Sequence, residues 1–472
     1  MADKEKTYDL IVIGAGPGGY VAAIRAAQLG LTVAVVERSP RLGGVCLNEG
    51  CIPSKALLDS SELFALSRDG FSRHGIEIEP PRLNLGQMLA RKDEVVKKLT
   101  DGIAYLFKKN RIDLITGTAR LTKKRDDLHR VRVTGDSGEQ VIIGRRVLLA
   151  TGSEAAALPG IPFDGEFVGH ARHALSYATV PEHLVVVGAG YIGLELGSVW
   201  RRLGSRVTVV EMLAKPLPNT DGQVADTLVR ALKKQGIAFK LETRVMEIVR
   251  NEGRATVRID GPAGVEELDC DRVLVAAGRI PLTAGLGLDD AGVTVAANGR
   301  IAVDDNFQTG VAGIYAIGDL IAGPMLAHKA MTEGEVFAER LQGQASVVDY
   351  PFIPGIVYTW PEAASVGRTE EQLKKDGVAY ASGRFPFSAN GRARCMDETE
   401  GFVKILAQEK TGRVLGVHIL GPRASDLISE AVTVMTYGGT AEDVAMTFHA
   451  HPTLSEAMKE AALDVEKRAI HA

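Results

Sequence analysis

The stretch Asp9-Leu-Ile-Val-Ile-Gly14-Ala-Gly16-Pro-Gly-Gly19 decides the fold, because its pattern returns at His183-Leu-Val-Val-Val-Gly188-Ala-Gly190-Tyr-Ile-Gly193. Each copy is an apolar strand that stops at a glycine, with a helix-like run behind it. A second strand then closes each unit on an acid: Thr32-Val-Ala-Val-Val-Glu37 in the first and Arg206-Val-Thr-Val-Val-Glu211 in the second. Glu37 and Glu211 stand the same 23 residues beyond Gly14 and Gly188. One glycine fingerprint of this kind is a weak signal. Two are strong when each opens a helix after a strand and each ends in an acid at matched distance. The glycines permit the tight turn, the close approach of a pyrophosphate and helix–strand packing. The helix N-terminus faces the phosphates, and the acid accepts from ribose hydroxyls.

Between the two units, Gly43-Gly-Val-Cys46-Leu-Asn-Glu-Gly-Cys51-Ile-Pro-Ser-Lys55 packs two of the four cysteines into six residues; only Cys270 and Cys395 remain. A disulfide framework would scatter its cysteines. A crosslink over so short a loop gains little stability, since closure entropy grows with loop length. The pair therefore reads as a dithiol/disulfide that turns over. Nicotinamide moves a hydride, a disulfide moves two electrons, and a flavin exchanges with both. One site is thus expected to hold FAD and the other NAD(P), with FAD in the N-terminal unit that the cysteines follow. Glu211 points to NAD, because a carboxylate there hydrogen-bonds the 2′-hydroxyl and repels a 2′-phosphate. Arg206 lies on the strand before it, and no arginine follows directly.

Thiol exchange needs a base, since the thiolate is the nucleophile. His449-Ala-His451-Pro-Thr-Leu-Ser-Glu456 offers one: His451 oriented by the carboxylate of Glu456. Lys55, four residues after Cys51, would stand one helical turn on, where its cation favours a thiolate. Glu195 follows the second fingerprint, close to where a nicotinamide would reach. Cys270 beside a strand and Cys395 in an arginine-rich loop are expected to be inert.

The 472 residues are enough for about three domains of roughly 150 residues each. A net charge of −4 argues against a nucleic-acid footprint. The charged start runs straight into a strand with no signal or membrane-spanning run, so a cytoplasmic location is expected, although a mature mitochondrial matrix protein would look the same. No metal-ligand set is read. Further buried strands end on glycine near Gly152, Gly278 and Gly318, where a ligand can sit close. Val95, Val96, Leu99, Ile103, Leu106 and Phe107 recur at helical spacing within residues 83–109 and read as core packing. The charge run 123–127 reads as a solvated turn. After about residue 345 the pattern changes to short strands and helices without a third fingerprint.

These motifs resemble the dihydrolipoamide dehydrogenases, lipoamide-oxidising members of the FAD-dependent pyridine nucleotide–disulfide oxidoreductases. The likeness covers nearly the whole chain. Its most specific parts are residues 43–55, 188–195, Ala316-Ile-Gly-Asp319, Pro324-Met-Leu-Ala-His-Lys329 and 449–456. The resemblance implies an α/β fold of two Rossmann-like dinucleotide-binding domains plus a C-terminal α+β dimerisation domain. The FAD domain would cover 1–150, completed by a central domain 278–345; the NAD domain 151–277; the interface domain 346–472. Cys46 would be the interchange thiol that attacks lipoamide sulfur, and Cys51 the thiol beside the flavin. His451, oriented by Glu456, would be the acid–base and would come from the other subunit of a homodimer. FAD would be held by Gly14, Gly16, Gly19, Glu37, Lys55, the backbone near Ala119, Thr151, Gly152, Ser153, Asp319, Met325, Leu326, Ala327 and His328. NAD would be held by Gly188, Gly190, Tyr191, Ile192, Gly193, Glu195, Glu211, Val245 and Gly278. The implied partners are the lipoyl domains and acyltransferase core of 2-oxo acid dehydrogenase complexes, or the lipoyl protein of glycine cleavage.

The chain departs from the family pattern at Glu49 between the cysteines, at Trp360 and at Ala119. None of these removes a reacting group. A glutathione- or mycothione-type reductase is the nearest alternative. Glu211 opposes the NADP preference of the glutathione type, and the Cys-Ile-Pro-Ser-Lys ending differs from its Cys-Val-Pro-Lys-Lys. A pure docking subunit would not need the reacting residues that are present.

Overall fold

The computed structural model describes residues 6–125, 127–136, 138–251 and 253–471. The first five residues, the last one and residue 126 of the 123–127 charge run lie outside the described residues. The chain divides into two compact units. One comprises Met1–Ala56, Gly86–Ala156 and Gly278–Val348; the other comprises Leu57–Leu85, Ala157–Ala277 and Asp349–Ala472.

The first unit is built on a five-stranded parallel sheet in the order Ile314–Ala316, Val147–Leu149, Leu10–Ile13, Val33–Glu37, Asp113–Thr116. Its inner strands are uninterrupted apolar runs because helices and loops cover both faces of a parallel sheet; Leu10–Ile13 and Val33–Glu37 are buried throughout. The first fingerprint strand is the central one. Helix Pro17–Gln28 returns the chain and lies against helix Ala327–Leu341. A Cβ on Gly334 would come within 2.5 Å of the Gly18 carbonyl oxygen, so only glycine allows so close a crossing. A second sheet adds the antiparallel strands Thr118–Arg125, Leu128–Gly135 and Gly138–Gly144.

The second unit repeats the first plan. Its parallel sheet runs Val168–Gly169, Arg272–Val275, His183–Val187, Arg206–Val210, Ile237–Lys240, again with the fingerprint strand third. A three-stranded antiparallel sheet follows, from Arg244–Asn251 to Gly264–Cys270. The same unit holds a five-stranded antiparallel sheet, Gly355–Val357, Glu362–Gly367, Val414–Gly421, Phe402–Gln408 and Tyr380–Pro386, packed by helices Ala424–Thr436 and Glu456–Asp464. The α/β class and the change of pattern after residue 345 are thus observed.

Helix Leu85–Lys109 carries the expected apolar stripe, but only in part as core. Val96, Ile103 and Phe107 are buried, whereas Leu99 is 43% exposed. Cys395 differs from expectation too: it is exposed on the short helix Gly391–Met396, which Asn390 caps through the Ala393 N–H, and not in a loop. Cys270 ends its strand in the core, and burial pushes its thiol up to about 12.

Candidate active site

The two glycine turns are alike in detail. Gly14 has φ 101° and Gly188 φ 105°, both in the left-handed region. A Cβ on either would come within 2.5 Å of a carbonyl oxygen just past the end of the neighbouring strand, Ala150 for Gly14 and Ala276 for Gly188. Gly19 and Gly193 lie so close to the first glycine of their turns that a Cβ would fall 1.9 and 2.2 Å from its oxygen. Glu37 folds back on its turn: Oε2 accepts from the Ala15 N–H at 2.8 Å and Oε1 from the Ser39 N–H at 2.8 Å. Glu211 does the same, accepting from Ala189 at 2.7 Å and Leu213 at 2.8 Å.

Around the first turn, the unit gathers residues distant in sequence. Thr151 Oγ1 donates to the Leu282 carbonyl at 2.7 Å. Ser153 donates to Asp319 Oδ2 and accepts from Arg279 Nε at 2.7 Å. Gly152, at φ 74°, opens to free space. Asp319 sits in the single turn Gly318–Leu320, and Met325, Leu326, Ala327 and His328 form the half-buried start of helix Ala327–Leu341. Ala119 is buried on strand Thr118–Arg125 opposite Val133.

Cys46 lies on the short helix Gly44–Glu49, and Cys51 is the first residue of helix Cys51–Asp69. Both are free thiols, joined by a hydrogen bond between their side chains. That bond, then burial, raises the Cys46 thiol far above its ordinary value, while Lys55 pulls it the other way. Lys55 is on the same helix as Cys51, one turn on. Asn48 ties the short helix to the turn before it by donating to the carbonyls of Leu42 and Gly44, both at 2.9 Å. Burial raises the phenol of Tyr20, on the first fingerprint helix, and the charge of nearby Cys46 adds to it. Sequence reading missed Tyr20, which carries no motif of its own.

In the second unit, Glu195 is buried on helix Tyr191–Leu203 and accepts from the Tyr358 N–H at 3.0 Å. Val245 is half-buried at the start of strand Arg244–Asn251. Gly278, at φ 134°, belongs to the first unit, unlike the other residues expected to hold NAD. The imidazole Nδ1 of His451 lies 2.9 Å from Glu456 Oε1 and its side chain is 79% exposed. Burial raises the Glu456 carboxyl, but the Thr453 N–H at 2.8 Å and His451 outweigh it and leave the group lowered. Asn390 Nδ2 steadies the loop by donating to the Thr453 carbonyl at 3.0 Å. His449 behaves differently: its side chain is buried, with Nε2 at 2.9 Å from Glu430.

The family model for pyridine nucleotide-disulphide oxidoreductases matches residues 8–334, and that for the dimerisation domain of the same enzymes matches residues 353–462. The chain belongs to the pyridine nucleotide-disulphide oxidoreductase family. Among its relatives, dihydrolipoyl dehydrogenase 3 of Pseudomonas putida is 50% identical over 98% of this chain and 99% of its own length. The mitochondrial dihydrolipoyl dehydrogenase 1 of Arabidopsis thaliana is 48% identical over 98% of this chain and 91% of its own length. The crystal structure of LpdA from Mycobacterium tuberculosis superposes with a TM-score of 0.89 at 29% identity, covering 96% of this chain and 98% of that one.

Oxidoreductases of this family use FAD and NAD. The residues present fit both groups. Neither fingerprint helix has a side-chain cap, whereas helix Gly222–Lys234 is capped by Asp221. Their first backbone N–H groups are thereby left to an anion. A Cβ on Gly190 would meet nothing within 4 Å, and one on Gly16 only Gly44 Cα at 3.9 Å, so space lies open beside both turns. No helix among the described residues is long and apolar enough to cross a membrane.

Proposed function

We propose that the protein is a dihydrolipoyl dehydrogenase: it oxidises protein-bound dihydrolipoamide to lipoamide and reduces NAD⁺ to NADH. The hydrogen-bonded pair Cys46 and Cys51, beside Tyr20 of the first fingerprint helix, carries this reading, and relatives of that name matched over nearly their full length support it.

Gly14, Gly16, Gly19, Glu37, Lys55, Ala119, Thr151, Gly152, Ser153, Asp319 and residues 325–328 would hold FAD. Gly188, Gly190, Tyr191, Ile192, Gly193, Glu195, Glu211, Val245 and Gly278 would hold NAD. FAD, when bound, relays an electron pair between the cysteine sulfurs and the pyridine nucleotide. The chain's own residues do the sulfur chemistry. One substrate thiolate attacks Cys46 of the Cys46–Cys51 disulfide, forming a mixed disulfide and releasing Cys51 as thiolate. The second substrate thiolate then displaces Cys46, so substrate leaves as disulfide and the two cysteines are left reduced. His451 takes the proton of the attacking thiol at Nε2, because Nδ1 faces Glu456, which fixes the tautomer and steadies the imidazolium. Glu211 accepts from the 2′-hydroxyl of NAD and repels a 2′-phosphate.

The matched dimerisation domain supports a homodimer, in which His451 serves the cysteine pair of the other subunit. The lipoyl group would come from a 2-oxo acid dehydrogenase or glycine cleavage partner, in a bacterial cytoplasm or a mitochondrial matrix. The test is a spectrophotometric assay of the purified protein with free dihydrolipoamide and NAD⁺. NADH formation is expected; faster turnover of NADPH with glutathione disulfide would overturn the reading.

A further inference from the structure

Lys329 and Glu333 stand one turn apart on helix Ala327–Leu341, with Nζ and Oε1 2.8 Å apart and side chains 1% and 0% exposed. Both reach the backbone of a single residue, Gly318, one on each side of its Cα. Gly318 donates its N–H to Glu333 Oε2 at 2.7 Å, and its carbonyl accepts from Lys329 Nζ at 3.0 Å. Gly318 is at φ 72°, a conformation in which a glycine peptide turns over cheaply unless it is held. A buried ion pair is a poor source of stability, since an apolar pair of similar volume commonly does as well. What this pair fixes is direction. The next residue, Asp319, takes its hydrogen bond from Ser153 on Oδ2, and Oδ1 has no partner among the described residues. The helix carrying the pair is itself seated by the close Gly18–Gly334 crossing against the first fingerprint helix.

We propose that Lys329 and Glu333 are positioning residues: by gripping the N–H and the carbonyl of Gly318, in the two peptides that flank its Cα, they aim the Asp319 carboxylate at a hydroxyl of the bound flavin. This rests on the assignment of Asp319 to the flavin site.

Two charge-neutral double variants separate the grip from the charge. Lys329→Gln with Glu333→Gln keeps a donor for the Gly318 carbonyl and an acceptor for the Gly318 N–H; Lys329→Met with Glu333→Leu removes both. The readout is the rate at which full-length holoprotein releases flavin on dilution, followed by flavin fluorescence. Hydrogen exchange across residues 317–320 is measured alongside. The glutamine double is expected to stay within about threefold of the parent, and the leucine double to release flavin about tenfold faster, with faster exchange confined to that segment. Equal release from the two doubles would overturn the proposal, as would faster release that only accompanies faster exchange of the whole chain. Asp319→Asn serves as the control. If it leaves release unchanged, the assignment of Asp319 falls; if it speeds release while the doubles match each other, only the positioning role falls.

Discussion

Glu37 and Glu211 make the same pair of hydrogen bonds in two different sheets. Each carboxylate accepts from the N–H of the alanine inside its glycine turn and from the N–H two residues beyond itself. The acid thus shapes the turn in the absence of nucleotide, and a ribose bound as proposed would meet an oxygen already fixed in place. Preorganisation of this kind lowers the ordering cost of binding.

Glu211→Gln keeps the size of the side chain but removes its charge. The ratio of kcat/KM for NADH over NADPH is expected to fall about tenfold or more, since a hydrogen bond to a charged group contributes about 1.5–3 kcal/mol. An unchanged ratio would place nucleotide selection elsewhere.

His451→Gln leaves an amide beside Glu456 that cannot take a proton. Oxidation of dihydrolipoamide should slow by about 10²–10⁴-fold, the usual scale of general acid–base catalysis. Stopped-flow reduction of the flavin by NADH should be nearly unaffected. Equal slowing of both half-reactions would remove His451 from the thiol chemistry.

Lys55 draws the Cys46 thiol downward against the three larger effects that raise it. In Lys55→Met the thiolate of the reduced protein should therefore appear at higher pH. Alkylation by iodoacetamide, profiled against pH, reads this directly, and coincident profiles for parent and variant would count against any role of the lysine in thiol activation.

His449 is raised above its ordinary value, first by its hydrogen bond to Glu430. A raised histidine stabilises the fold fully below its unfolded pKa of about 6.5, and the contribution is lost as pH rises through the folded value. Urea unfolding should show that loss on the alkaline side in the parent and not in Glu430→Gln. If both proteins lose stability in parallel, the pair contributes nothing to the pH dependence.

Lys404 on strand Phe402–Gln408 and Asp221 at the cap of helix Gly222–Lys234 form an ion pair 2.9 Å long with side chains 1% and 0% exposed. Asp221→Asn should destabilise the protein by about 3–5 kcal/mol, because it leaves the lysine buried and less compensated. Adding Lys404→Met should recover part of the loss. A double variant no more stable than the single one would show that the buried lysine charge is not the source of the loss, since asparagine keeps the helix cap.

Much of the fold was legible because its signals are local. A glycine at each turn, an apolar run before it and an acid at fixed distance after it leave few ways to fold, and both units folded in that way. The spacing of Cys51 and Lys55 placed them one turn apart only on the condition of a helix, which the structure supplies. Helical spacing did not tell whether Leu99 was covered, because burial depends on what packs opposite. Asn390 turned the arginine-rich stretch around Cys395 into a short helix, a capping role that the charged residues obscured.

By itself, the sequence determined the two dinucleotide turns, the redox reading of Cys46 and Cys51 and the pairing of His451 with Glu456, all of which rest on residues near one another in the chain. Only the tertiary structure decided that the side chain of His449, two residues from His451, is buried against Glu430; that Tyr20 comes near Cys46; that Lys404 meets Asp221, 183 positions away; and that Lys329 and Glu333 grip the N–H and carbonyl of Gly318. Local hydrogen-bonding patterns repeat wherever the same residues recur. A buried charge is tolerable only where folding brings its partner to it, and the sequence neighbours of a lysine or a histidine do not reveal which surface will close over it.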